Sequence, residues 1–321
     1  MKRMKKMKKM KKISIIIPFY NEKFVLSKFI NNLSLELKKL ENKYSFEVVL
    51  LDNNSDDGCS LDAINIAKKN NFVYKCQNRN FGYQSNILAG YDICTGDAAI
   101  QINADGEDNP NLIYKFIEKW EEGFDVVYGI IKKRKESPLL EFQRKIFYRV
   151  INFLSDINIP IDSGDFRLID RRIINQLKNF KESNIYLRGI ISYIGGKQIG
   201  IEYKRDERYG GTSKFNWFKY ISFATNAILS FTNKPLNLVA TVGFTISLLS
   251  LIAIFGYLLS YFIYGFAIDG FATLIIVSLF MILIIMLSLS IMSLYISKIL
   301  DEVRNRPRYI LKNEKNSNNR S

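Results

Sequence analysis

The sequence predicts an α/β fold, a mostly parallel sheet with helices on both faces. Three observations predict it. Short apolar runs alternate with segments of helical periodicity from residue 13 to about residue 129. The runs are continuously apolar, as suits strands covered on both faces of a sheet. Each run also ends in a polar cluster, at the edge where open α/β sheets bind ligands.

The elements follow in order. Residues 1–12 are almost entirely Lys, Arg and Met, a basic arm expected to be a solvated tail that can lie on anionic headgroups. The first strand is expected over 13–18; its apolar run is too short for a secretory signal and is followed at once by Asn21 and Glu22. A helix over 24–40 places Val25, Phe29, Leu33, Leu37 and Leu40 on one face. Further strands are expected over 46–51, 72–76, 98–102 and 126–128, with helices over 61–69 and 85–91 between them. Pro110 suits a first helical position, and Leu112, Ile113, Phe116, Ile117 and Trp120 continue at helical spacing.

After the first strand come Pro18, Tyr20, Asn21 and Glu22, and after the second Asp52, Asn53, Asn54, Ser55, Asp56, Asp57 and Gly58. The third ends in Asn78, Arg79, Asn80, Phe81 and Gly82, the fourth in Asn103, Ala104, Asp105, Gly106, Glu107 and Asp108. Turn chemistry accounts for any one of these loops. Four in register on one edge point to a nucleotide-sized site. Hard oxygen ligands on the fourth loop suit Mg²⁺ or Mn²⁺, metals that share their shell with substrate phosphates. Neither GxGxxG nor GxxxxGK[ST] occurs, so neither a dinucleotide dehydrogenase nor a P-loop NTPase is supported. The chain has no histidine, which excludes Ser-His-Asp catalysis and His-based zinc sites. Cys59, Cys76 and Cys94 form no CxxC pair, and an odd number argues against a disulfide framework. Free thiols fit a reducing, cytosolic setting.

The net charge of +15 gathers at the ends, in residues 1–12 and in Lys298, Arg304, Arg306, Arg308 and Lys312. These clusters flank apolar segments, so the expected partner is an anionic membrane and not a nucleic acid. Segments 236–263 and 271–296 contain no charge, and each exceeds the ~20 residues needed to cross a bilayer. Lys234 precedes the pair and Lys298, Arg304 and Arg306 follow it, while the connector has no Lys or Arg. The positive-inside rule then puts both termini in the cytosol and the connector outside, in a two-span protein of the cell membrane. Residues 214–234 have the amphipathic, aromatic-rich spacing of an interfacial helix. The expected organisation is a basic arm (1–12), a cytosolic catalytic domain (13–213), an interfacial helix (214–234), a two-helix hairpin (235–300) and a basic, disordered tail (301–321).

Four motifs carry a family resemblance: Ser14-Ile15-Ile16-Ile17-Pro18-Phe19-Tyr20-Asn21-Glu22, Leu51-Asp52-Asn53-Asn54-Ser55-Asp56-Asp57-Gly58, Arg79-Asn80-Phe81-Gly82 and Asn103-Ala104-Asp105-Gly106-Glu107-Asp108. In this order they resemble family 2 glycosyltransferases, which have a GT-A-type, Rossmann-like fold. Ser163-Gly164-Asp165-Phe166-Arg167-Leu168-Ile169-Asp170-Arg171 and Arg208-Tyr209-Gly210-Gly211-Thr212-Ser213-Lys214-Phe215 resemble the polyprenyl-phosphate branch, with its dolichyl-phosphate mannose synthases and bactoprenyl-phosphate glucosyltransferases. The resemblance covers roughly residues 13–307.

The resemblance implies inverting transfer of a hexose from a nucleotide-sugar, such as UDP-glucose or GDP-mannose, to undecaprenyl or dolichyl phosphate at the cytosolic membrane face. The product is a lipid-linked monosaccharide for cell-envelope or glycan modification. It assigns Pro18, Tyr20, Glu22, Asp52, Asn53, Arg79, Asn103, Ala104 and Asp105 to the donor. Asp105, Glu107 and Asn103 are assigned to a Mg²⁺ or Mn²⁺ ion, and Arg167, Arg188, Arg208, Ser213 and Lys214 to the acceptor phosphate. Asp105, Asp165 and Arg167 are the implied catalytic group, and relatives that assemble through membrane helices imply a homo-oligomer. Two positions depart from the pattern. Asn103 stands where the family usually has Asp, a poorer metal ligand whose lost charge Glu107 can restore; Asn53 stands where Asp is frequent in the base-reading loop.

The chemistry suits the residues. A departing diphosphate needs its developing charge stabilised, which a divalent ion does. A phosphomonoester, with a second pKa near ~6, is already largely ionised at neutral pH. No strong general base is needed. Arginine grips phosphate bidentately and lysine acts as a point charge. For Arg134, Arg144 and Arg149 a surface ion pair is the plainer reading, and Asp170 and Arg171 are expected to start a helix as an electrostatic cap. Two other functions compete. A processive polysaccharide synthase is disfavoured by only two spans and no QxxRW-type motif; a non-catalytic scaffold keeping the fold draws its support from Asn103.

Overall fold

A seven-stranded mixed sheet forms the centre of the computed structural model, which describes residues 10–131, 163–182, 185–205, 234–264 and 270–312. The expectations for Arg208, Ser213 and Lys214, for the interfacial segment before Lys234, for Arg134, Arg144 and Arg149, and for the tail after Lys312 lie outside these residues. In chain order the elements are β1 (Lys11–Phe19), α1 (Leu26–Lys38), β2 (Tyr44–Asp52), α2 (Cys59–Asn70), β3 (Val73–Cys76), α3 (Tyr83–Ile93) and β4 (Ala98–Gln101). A 3₁₀ turn (Pro110–Leu112), α4 (Ile113–Glu121) and β5 (Val126–Ile131) follow. Then come β6 (Ser163–Asp170), α5 (Arg171–Leu177), α6 (Leu187–Ile194), β7 (Gln198–Tyr203), α7 (Lys234–Tyr264) and α8 (Phe271–Arg304).

The strand order is β3-β2-β1-β4-β6-β5-β7. β1 pairs in parallel with β2 and β4, β2 with β3, and β5 with β7. β6 runs antiparallel to both its neighbours, β4 and β5. The sheet is therefore mostly parallel, as expected; the sequence reading placed neither β7 nor the one reversed strand, β6. For β6 the cause is its pattern. Phe166 and Leu168 enter the core, while the other face alternates Asp165 and Arg167, so the strand lacks the continuous apolar run used to find the others.

β1 also begins earlier than expected, taking in Lys11 and Lys12 from the basic arm. Lys12 is held there by partners. Its backbone N–H donates to Asp97, and its ammonium donates to Glu47 at 3.0 Å and to Thr95 at 2.6 Å. Ser14 and Thr95 also donate to the Glu47 carboxylate, which joins β1, β2 and the turn before β4.

One sheet face buries Ile13, Ile15, Ile17, Ile100, Phe166 and Leu168 beneath Leu26, Phe29, Leu33 and Leu37 of α1 and Ile113, Phe116 and Ile117 of α4. On the other face α3 lies close against β1 and β2. A methyl group at Gly90 would come within 2.3 Å of Ile16 Cγ2 and 2.7 Å of Leu51 Cδ1, so only glycine permits this approach. Pro110 takes the first position of its turn, with Asn109 accepting from the Asn111 N–H as cap. Asp170 caps α5 by accepting from the Arg172 N–H at 2.8 Å, the role its sequence position suggests.

The described residues fall into two compact units, the sheet unit, to which the segment after Arg306 also belongs, and a helical unit containing α7 and α8. Within the helical unit, hydroxyls that would otherwise face an apolar surface turn back on their own helix. Thr241, Thr245, Ser288, Ser290 and Ser293 each donate to the carbonyl four residues earlier at 2.8 Å. Among the described residues one helical stretch, Phe280–Arg304, is long and apolar enough to cross a membrane, and none of its apolar window is buried within the protein.

Candidate functional site

The loop after β4 alternates in exposure: Asn103, Asp105 and Glu107 are half-buried, while Ala104, Gly106 and Asp108 are buried. The three residues proposed as metal ligands are thus the half-buried ones. Their partners differ. Asp105 accepts from the Glu107 N–H at 3.1 Å, a short turn within the loop. Glu107 pairs with Arg205 at 2.7 Å. The Asn103 carbonyl oxygen accepts from Tyr83 at 2.7 Å and from Gln101 at 3.0 Å, which uses both of its lone pairs, and its amide donates to Asp108. Asn103 therefore acts as a hub that fixes the loop. Among the described residues no group of three or more His, Cys, Asp or Glu side chains could hold a metal ion. The Asp105 carboxylate still fits Mg²⁺, which is commonly held by one or two carboxylates together with substrate phosphates.

Asp108 is fully buried beneath Tyr203, which donates to it, and Arg205, whose Nε lies 3.4 Å away. Burial pushes its pKa up against the pull of Arg205 and Tyr203. Asp165 meets Arg188 in a bidentate pair at 2.7 and 2.8 Å. Burial opposes its charge, but Arg188 outweighs that and holds its pKa below the ordinary carboxylate range. Arg167 is only 5% exposed and donates to the Gly164 carbonyl at 2.9 Å, so it braces the start of β6. A small space beside it is lined by Ile87, Tyr91, Gln101, Asp165, Arg167, Leu187 and Ile191, and Gln101 Oε1 is buried there without a hydrogen-bond partner. The Tyr83 hydroxyl sits amid these groups. The Tyr83 side chain is exposed overall, but crowding of the hydroxyl by these groups, with the Asp165 and Asp108 carboxylates nearby, raises its pKa above the ordinary value.

On the donor side, Pro18 is buried in β1 and Tyr20 and Glu22 are half-buried beyond it. Asn21 and Asp56 bond reciprocally at 2.6 and 3.0 Å, which ties the loop after β1 to the loop after β2. Asp52 is fully buried and accepts from the Ser55 N–H at 2.8 Å, from Ser60 and from the Tyr74 hydroxyl at 2.9 Å. Its carboxylate shapes the loop from within. Asn53 donates to Asn80 at 2.8 Å and accepts from the Phe81 N–H at 3.1 Å, joining the loops after β2 and β3. Arg79 is exposed and lies over the Phe81 ring at 4.2 Å.

The structure brings Asn103, Asp105, Asp165, Arg167 and Arg188 to one neighbourhood around Tyr83. Sequence reasoning missed Tyr83, Gln101, Tyr203 and Arg205. Two signals were present. Gln101 interrupts the apolar run of β4, and Arg205 stands three residues before Arg208 in the same basic stretch.

A model of the family described as glycosyl transferase family 2 matches residues 14–178. The chain is 34% identical over 304 residues to an uncharacterised glycosyltransferase, YkcC, of Bacillus subtilis (strain 168), covering 93% of this chain and 92% of that one. It is 32% identical over 307 residues to the bactoprenol glucosyl transferase of Shigella phage SfV, covering 94% and 99%. Among solved structures it is similar to glucosyl-3-phosphoglycerate synthase from Mycobacterium tuberculosis in complex with Mn²⁺, UDP and phosphoglyceric acid, with 14% identity, a TM-score of 0.47 and coverage of 68% and 76%.

Proposed function

The chain belongs to glycosyl transferase family 2, and from that premise we propose that it transfers a hexose from a nucleotide-sugar to polyprenyl phosphate, with inversion at the anomeric carbon. The observation that carries the reading is the gathering near Tyr83 of the Asp105 carboxylate and the Asp165–Arg188 pair, with Arg167 beside Asp165. The likeness to bactoprenol glucosyl transferases, along nearly the whole of both chains, supports the lipid acceptor.

In this mechanism an ionised oxygen of the acceptor phosphate attacks the anomeric carbon. The bond from that carbon to the donor diphosphate breaks, and the nucleoside diphosphate leaves with the electron pair. The acceptor needs no base, since its phosphate is already ionised. A Mg²⁺ or Mn²⁺ ion would be held by Asp105 together with the donor phosphates and would supply charge stabilisation at the leaving group. Asn103, anchored by Gln101 and Tyr83, sets the loop that aims Asp105. Asp165 fixes the plane of the Arg188 guanidinium, which with Arg208, Ser213 and Lys214 binds the acceptor phosphate. We further propose that α7 and α8 form a two-span hairpin with the sheet unit on the cytosolic side, which brings a lipid-linked phosphate within reach; uncharged runs and flanking Lys and Arg support it.

Membranes containing the protein are incubated with polyprenyl phosphate, Mg²⁺ or Mn²⁺, and a panel of radiolabelled nucleotide-sugars. Label should enter the organic phase from one donor, and Asp105→Ala should reduce that transfer by about 10²-fold or more. No label from any donor, or full transfer by Asp105→Ala, overturns the reading.

A further inference from the structure

The residues after Arg306 return to the sheet unit and run along the end of β3. Leu311 forms an antiparallel bridge with Gln77. The Ile310 carbonyl accepts from the Asn78 N–H at 2.8 Å, and the Lys312 N–H donates to the Cys76 carbonyl at 2.8 Å. Tyr309 donates to Asp92 at the end of α3 at 2.8 Å, and Arg308 donates to the Phe180 carbonyl. β3 is an edge strand, and covering an edge blocks unwanted pairing.

Edge protection needs only those main-chain bonds. The last contact goes further: the Lys312 ammonium reaches past the end of β3 and donates to Asn54 Oδ1 at 2.7 Å. Asn54 has φ 62, a left-handed conformation that Asn tolerates. It belongs to the loop after β2, whereas Asn78 begins the loop after β3. These are two of the loops that would surround the donor. Asn53 ties them from inside through Asn80 and Phe81, and segment 307–312 ties the same pair from outside.

We propose that Lys312 is a donor-positioning residue: segment 307–312 clamps the loops after β2 and β3 in their donor-binding arrangement, and the Lys312 ammonium fixes Asn54 within it. The inference rests on the nucleotide-sugar reading above. Lys312 takes no part in bond making or breaking, so its removal weakens donor binding and spares turnover and the acceptor.

The test uses the full chain in detergent or nanodiscs, with UDP-glucose and GDP-mannose as probes. For the donor that is bound, Lys312→Met should raise Kd and KM five- to tenfold, with kcat, acceptor KM and Tm essentially unchanged. Lys312→Arg, which keeps a cation that can donate to Asn54, should return Kd to within twofold of the original protein. An unchanged donor Kd in Lys312→Met overturns the proposal. So does a fall in Tm shared by both variants without rescue by arginine, which would make the contact merely structural. If the unaltered protein binds neither probe, the donor reading fails and this inference falls with it. If the unaltered protein and Lys312→Met bind equally, the inference alone fails.

Discussion

Asp165 and Arg188 face each other with little water between them, their side chains only 15% and 19% exposed. Removing one partner strands the other's charge, whereas removing both does not. Asp165→Asn should therefore lower stability by about 3 kcal/mol, and Asp165→Asn combined with Arg188→Gln should recover most of the loss. Denaturant unfolding of the two variants checks this; equal destabilisation by single and double variants would refute it. The same scale shows what a sequence discloses about a site. Asp105 could be proposed from sequence because an acid at a strand end is visible there. The bonds that tie Asn103 to Tyr83 and Gln101 were not legible, because α3 and β4 bring those partners to it. Asp108 read as one more exposed acid of its loop, yet Tyr203 and Arg205, supplied by residues almost a hundred positions later, cover it.

At the scale of elements, the Glu47 knot joins β1, β2 and the turn before β4. Burial works against its charge, but hydrogen bonds from Ser14, Thr95 and Lys12 outweigh this and hold its pKa at about 2. The folded value lies below the unfolded one of about 4.3. Its stabilisation is therefore complete above that unfolded value and is lost as pH falls toward 2. Glu47→Gln should cost about 1–3 kcal/mol at neutral pH and flatten the acid limb of the stability curve, as urea midpoints across pH would show. Gly90→Ala should cost a further ~1–3 kcal/mol, because α3 must lift from Ile16 and Leu51 to admit the methyl group. Periodicity located β1 to β5 and the helices between them, since their apolar runs are long or regular. It missed β6, the sheet's one reversed strand, where Asp165 and Arg167 occupy alternate positions and dilute the apolar signal, and β7, where Gln198, Gly200 and Glu202 do the same. Polar residues at alternate positions hid both strands.

At the scale of the whole molecule, the sheet unit has a buried core, while the helical unit presents an unburied apolar stretch at Phe280–Arg304. The full chain should stay with membranes through an alkaline carbonate wash, and deletion of residues 234–304 should release it; recovery of the full chain in the wash would contradict the membrane reading. The order of the strands carries a consequence for synthesis. The four strands β3-β2-β1-β4 are made first, yet neither border of that half-sheet is closed by what a ribosome delivers next. β4 waits for β6, and β3 waits for residues beyond α8. At roughly 5–20 residues per second, the nascent chain carries an open β3 border for tens of seconds, through emergence of its most apolar segments. Lys75, on β3, and the half-exposed character of that strand leave the waiting border poorly suited to sticking to itself or to a neighbouring nascent chain.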